Sequence, residues 1–129
     1  FLNTPPEFMP GVNSFIEQAS KKYQCAIVTS AHKPAVEHVL KHAEFAQFIQ
    51  FYICDEDVTQ SKPAPECYLK AAEKLSVTPE NCIVFEDSYA GLAAAQSANM
   101  QSVAVLGTNT NPPTNAGEIS IDNFVGYKI

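Results

Sequence analysis

Four short apolar runs punctuate the chain: Cys25 to Val28, Phe51 to Cys54, Cys82 to Phe85 and Val103 to Leu106. None alternates with polar residues, which is the pattern of strands covered on both faces. The segments between them carry helical spacing instead. Val36, Val39, Leu40 and Ala43 follow the first run, and Tyr68, Ala71, Ala72 and Leu75 the second, each as i, i+3, i+4, i+7. Gly91, Ala94, Ala95 and Ala98 repeat that spacing with small residues only, so a helix there can lie close against a sheet. Val12, Phe15, Ile16 and Ala19 predict a further helix ahead of the first strand.

Pro34 and Pro65 stand where a first helical turn should begin, a position at which the missing N–H costs nothing. Asn99, after the small-residue helix, suits a left-handed C-terminal cap. Alternating helix and strand implies parallel strands joined by crossovers. The expected fold is therefore α/β, a three-layer doubly wound parallel sheet. Ile119 and Ile121 predict an additional edge strand, beyond a turn-rich stretch from Gly107 to Asn115. Residues 1–9, with prolines at 5 and 6, read as a linker into the first helix, and residues 10–129 as the domain proper.

At 129 residues the chain suffices for one ordinary domain and is short for two. Its 46% hydrophobic and 17% charged residues predict a packed core rather than disorder. Eight Lys and Arg against fourteen Asp and Glu give a net charge of -6, which argues against nucleic acid and anionic membranes as partners. No apolar run approaches the length of a membrane helix and no signal peptide opens the sequence, so a soluble, cytoplasmic protein is expected. Cys25, Cys54, Cys67 and Cys82 form no C-x-x-C pair and offer neither a zinc ribbon nor a thioredoxin motif. Three of them lie inside apolar runs and read as small buried hydrophobes.

Ligands of open parallel sheets collect at the carboxyl ends of the strands. There the chain carries Thr29-Ser30 after the first run, Lys62-Pro63-Ala64-Pro65 beyond the second, and Glu86-Asp87-Ser88 after the third. Each has an ordinary explanation: a hydroxyl capping a helix, a solvated loop lysine, an acidic pair facing a helix dipole. Together they suit phosphoryl transfer, in which negative charge spread over the transferring oxygens needs donors and cations around it. A carboxylate pair such as Glu86 and Asp87 fits Mg²⁺, which takes one or two protein carboxylates and keeps several waters.

With these residues in view the chain resembles the haloacid dehalogenase-like superfamily from about Pro10 to Leu106. Ala26-Ile27-Val28-Thr29-Ser30 is similar to its second motif, and Ser61-Lys62-Pro63-Ala64-Pro65-Glu66 to its third, usually Gly-Lys-Pro-x-Pro-Asp. Val84-Phe85-Glu86-Asp87-Ser88-Tyr89-Ala90-Gly91 is similar to its fourth, in the Glu-Asp form of β-phosphoglucomutase-like and sugar-phosphatase-like members. Ser61 and Asn99 stand where that pattern has glycine. The resemblance implies that Thr29 and the Ser30 N–H bind phosphoryl oxygens and that Lys62 neutralises phosphate and nucleophile. It also implies that Asp87 ligates Mg²⁺, with Glu86 a second ligand or an outer partner. Ser88 is expected to cap the Gly91 helix and to support the acidic pair from behind.

The family's first motif, a strand ending in Asp-x-Asp-Gly-Thr that supplies the nucleophile, is not found. Asp55 and Asp57 have the interval but lie after the second motif and lack the Gly-Thr, so they read as loop acids. Pro5 to Val12 resembles the hinge by which the family's chain returns from an inserted cap domain. The expectation is thus the C-terminal part of a catalytic core, incomplete because the central nucleophile strand and the cap are absent. Its partners would be a small phosphorylated substrate and the missing N-terminal part of the same protein. Alone it should be inactive and prone to pair through its open strand edges. Two other readings are weighed: a non-catalytic binding or scaffold protein that has lost the nucleophile, and a flavodoxin-like or response-regulator-like domain. Retention of Thr29, Lys62, Glu86 and Asp87 argues against the first, and the Lys-Pro-x-Pro and Glu-Asp-Ser spacing against the second.

Overall fold

In the computed structural model, which describes residues 8–107 and 119–129, all four apolar runs contribute strands and all four periodic segments contribute helices. In chain order these are α1 (Val12–Ser20), β1 (Ile27–Val28), α2 (Lys33–His42), β2 (Tyr52–Ile53), α3 (Glu66–Leu75), β3 (Ile83–Glu86), α4 (Tyr89–Ser97), β4 (Gln101–Val105) and β5 (Ile119–Ile121). Short 3₁₀ turns over Glu44–Phe48, Asp55–Asp57 and Pro79–Asn81 were not anticipated by periodicity, because one turn of helix leaves no repeat to detect. The linker assigned to residues 1–9 and the turn-rich stretch from Gly107 to Asn115 fall largely outside the described residues. Among the described residues no helix is long and apolar enough to cross a membrane.

Two compact units emerge, one from the described residues of Phe1–Asp57 with Asn123–Ile129 and one from those of Val58–Asp122. The first holds a two-stranded parallel sheet in which Ile27 pairs with Tyr52 and Val28 with Ile53. Its buried residues are Ala19, Val36, Phe45, Ile53 and Cys54. The apolar stripe of α1 finds its cover late in the chain: Phe15 stacks on Phe124 at 4.9 Å, and Tyr127 lies 5.8 Å from Phe15. Gly11, at φ +83°, starts this helix. A Cβ there would come within 2.5 Å of the Val125 nitrogen, so only glycine admits both the left-handed backbone and the returning segment.

The second unit is a three-stranded parallel sheet of order β3-β4-β5, in register from Ile83↔Gln101 to Glu86↔Ala104 and from Val103↔Ile119 to Val105↔Ile121. β5 is thus the edge strand foreseen from Ile119 and Ile121. The small-residue face of α4 packs on β3 and β4, with Leu92, Ala94 and Ala95 wholly buried. Asn99 does adopt the left-handed conformation, at φ +62°, letting the Met100 N–H donate back to the Ala95 carbonyl before β4 begins. Ser76 ends α3 the same way at φ +58°. Pro34 occupies the first turn of α2, while Pro65 stands one residue earlier than expected, as the N-cap of α3.

Candidate functional site

In the second unit the chain between β2 and α3 carries Lys62, and β3 ends in Glu86. A carboxylate at the last residue of a buried strand needs compensation, and Glu86 is only 8% exposed. It receives four donors. The Lys62 Nζ donates to Oε2 at 2.6 Å and the Tyr68 hydroxyl to the same oxygen at 2.5 Å. The Asp87 backbone N–H and the Ser88 hydroxyl donate to Oε1 at 3.1 and 3.3 Å. A carboxylate offers about four lone-pair sites, so these contacts occupy what it has.

The local sequence makes room for this arrangement. Gly91 lies in the first turn of α4 with its backbone against the Glu86 side chain, and a Cβ there would overlap Glu86 Cγ, Cδ and Oε2. Ser88 caps α4, its hydroxyl accepting the Gly91 N–H at 3.0 Å while donating to Glu86. It thereby performs the capping expected of it and also touches the acid. Burial pushes the Glu86 carboxyl up, but the Lys62 charge and the bonds from Lys62, Tyr68 and Asp87 outweigh it and hold the carboxyl below its ordinary value. Asp87 moves the other way. Partial desolvation and the adjacent Glu86 charge raise it.

Lys62 is fixed from its own side as well. Glu66, at the start of α3, accepts the Thr59 N–H at 2.9 Å, the Thr59 hydroxyl at 2.7 Å and the Gln60 N–H at 2.9 Å, closing the loop that presents Lys62. The Thr59 N–H, the Thr59 hydroxyl and the Gln60 N–H bring the Glu66 carboxyl down to about 2. Tyr68 was expected only as one apolar position of α3. Its hydroxyl and its ring, whose centroid lies 5.1 Å from the Lys62 Nζ, are what periodicity does not report. Nor did spacing show why Gly91 has no side chain.

Thr29 and Ser30 belong to the first unit, at the carboxyl end of β1. The Thr29 N–H continues the ladder to the Ile53 carbonyl at 2.9 Å, and its hydroxyl accepts the Ala31 N–H at 3.1 Å, a local turn rather than a cap of α2. The acids of Cys54-Asp55-Glu56-Asp57 are local too: Asp57 Oδ2 accepts the Cys54 N–H, and both Glu56 oxygens accept the Lys33 N–H at the start of α2. His32 Nδ1 lies 3.5 Å from Asp55 and 3.7 Å from Glu56, and of these three side chains Glu56 is the one that caps that helix. All four cysteines are free; of the three in apolar runs only Cys54 is buried, Cys25 and Cys82 being half-buried at the starts of theirs, and Cys67 on α3 is buried as well, while desolvation raises every thiol.

The family described as haloacid dehalogenase-like hydrolase matches residues 3–105. A phosphorylated carbohydrates phosphatase of Thermotoga maritima is 34% identical over 95 residues, 73% of this chain and 44% of that protein. The crystal structure of a family IA, variant 3 hydrolase from Entamoeba histolytica superposes with a TM-score of 0.84 at 25% identity, covering 99% of this chain and 60% of that one. The structure of CbbY from Rhodobacter sphaeroides in complex with phosphate gives 0.81 at 27% identity, over 90% of this chain and 54% of that one. The chain thus spans less than half the length of the phosphatase it matches.

Proposed function

The chain belongs to the haloacid dehalogenase-like hydrolase family, and from that premise we propose that it carries part of the machinery for Mg²⁺-dependent phosphoryl transfer on a small phosphorylated metabolite. The reaction class is that of a phosphatase or phosphomutase acting through a phosphoaspartate, with the nucleophile on a segment outside these 129 residues. A sugar phosphate is the favoured substrate, on the Glu-Asp form of the fourth motif and the similarity to a carbohydrate phosphatase.

The carrying observation is the buried contact of Lys62 with Glu86 beside Asp87. At 9% exposure of each side chain, the ammonium and the carboxylate neutralise one another at the end of β3. In this reading Lys62 offsets the charge of the phosphoryl group and the attacking carboxylate. Asp87 would hold the metal, with Glu86 as the anchored charge next to it. The donor set fits: Asp87 is an exposed carboxylate raised by partial desolvation and a like-charged neighbour, a state that a cation relieves. When bound, Mg²⁺ supplies Lewis-acid stabilisation of the phosphoryl oxygens. Thr29 and the Ser30 N–H are assigned phosphoryl oxygens on motif similarity, as a separate part of the proposal.

The test is hydrolysis of a generic aryl phosphate by the protein as its gene encodes it, with and without Mg²⁺. Lys62→Ala and Asp87→Ala should each abolish turnover, and chelation should do the same. Full activity in both variants would overturn the site assignment.

A further inference from the structure

Tyr68 touches both members of the Lys62–Glu86 pair with different parts of one side chain. Its hydroxyl donates to Glu86 Oε2 at 2.5 Å, the oxygen that the Lys62 Nζ also reaches. Its ring faces the ammonium at 5.1 Å, within the roughly 6 Å over which a cation is drawn to an aromatic face. The residue is 5% exposed and sits on α3, a regular helix, rather than on the loop that carries Lys62. We propose that Tyr68 is a positioning residue for the Lys62 ammonium, acting by clamping the carboxylate from the helix side and providing a floor beneath the cation. This rests on the phosphoryl-transfer reading for its catalytic consequence, though not for its geometry.

Without the hydroxyl, Glu86 Oε2 would keep a single donor, and a buried carboxylate short of a partner shifts toward whichever donors remain. Those on Oε1 are the Asp87 N–H and the Ser88 hydroxyl, so the carboxylate is free to turn away from Lys62. A core tyrosine with no such role would matter through its ring alone. Tyr68→Phe keeps the ring, the packing and the cation-facing surface, and removes only the donor.

Two readouts separate positioning from packing. In the wild-type protein the Lys62 ammonium should give an observable, slowly exchanging ¹⁵Nζ–H signal, and the Tyr68 hydroxyl proton a downfield resonance. In Tyr68→Phe the Lys62 signal should broaden or exchange faster while the folded fraction by circular dichroism stays the same. With an aryl phosphate, kcat should fall about tenfold, the scale of one hydrogen bond to a charged group, while KM stays within about twofold, as for an interaction made mainly in the transition state. An unchanged Lys62 signal, an unchanged kcat in a turning-over enzyme, or absence of the Tyr68 hydroxyl resonance from the wild type would each overturn the proposal. Should the wild type turn over no phosphate ester while Tyr68→Phe still loosens Lys62, the functional reading fails and the positioning role stands.

Discussion

Replacing Gly91 by alanine sets two quantities of opposite sign against each other. In a helix interior the change ordinarily stabilises by about 1 kcal/mol. Here the new Cβ would overlap the Glu86 carboxyl, which must retreat by about 1.5 Å or more to reach van der Waals contact. The Lys62 and Tyr68 hydrogen bonds, at 2.6 and 2.5 Å, would then stretch to about 4 Å, where neither remains a hydrogen bond. Two bonds to a charged group are together worth about 3–6 kcal/mol, so Gly91→Ala is expected to destabilise by about 2–5 kcal/mol. In a Glu86→Ala background the obstruction is gone and the same substitution should stabilise, by up to about 1 kcal/mol. Urea unfolding followed by circular dichroism measures all four corners of this cycle. An effect of the same sign in both backgrounds would refute the idea that Gly91 exists to seat Glu86.

Other outcomes follow from the same contacts. The Glu66 carboxyl should titrate near about 2 by carbon NMR. Because its folded value lies below the ordinary 4.5, the stability it contributes is complete above about pH 4.5 and lost as pH falls toward 2; Thr59→Val, removing the hydroxyl donor, should move that midpoint upward. Lys62→Met strands a buried carboxylate and should cost about 3–5 kcal/mol in urea unfolding, well beyond the effect of a surface lysine. Leu92→Ala, at a position with no exposure, should cost about 2–5 kcal/mol by the same measurement. Ser88→Ala should cost about 1 kcal/mol through the lost cap.

Much of this architecture was legible because strands and helices advertise themselves by period. The runs ending at Val28, Cys54, Phe85 and Leu106 all mark real strands, and the stripes beginning at Val12, Val36, Tyr68 and Gly91 all lie on helices or reach one residue past their ends. Asn99 was readable too, since few residues other than glycine tolerate its backbone. The pairing of Lys62 with Glu86 was foreshadowed by motif and chain order, but its tightness was not, because burial is set by α3 and α4 rather than by the residues themselves. Tyr68 was half-read: periodicity counts an aromatic ring as core and says nothing of the hydroxyl. Gly91 does ease helix against sheet, as its spacing implies, but the sheet residue it faces is the Glu86 carboxylate at the end of β3. The division into two units was not legible either, for its borders at Asp57 and Asp122 fall in polar stretches beyond β2 and β5 that look like any other loop.

The return of Asn123–Ile129 to the opening helix has a bearing on synthesis. Phe124 donates its N–H to the Pro10 carbonyl and stacks on Phe15, so α1 is without its aromatic lid until every residue of the intervening unit has been made. In a growing chain α1 can already pack on the Glu44–Phe48 turn, but its contacts with Phe124 and Tyr127 must wait until the whole of Val58–Asp122 has been made. Premature termination just before Phe124 would thus take the aromatic lid from α1, at the opposite end of the chain from the break.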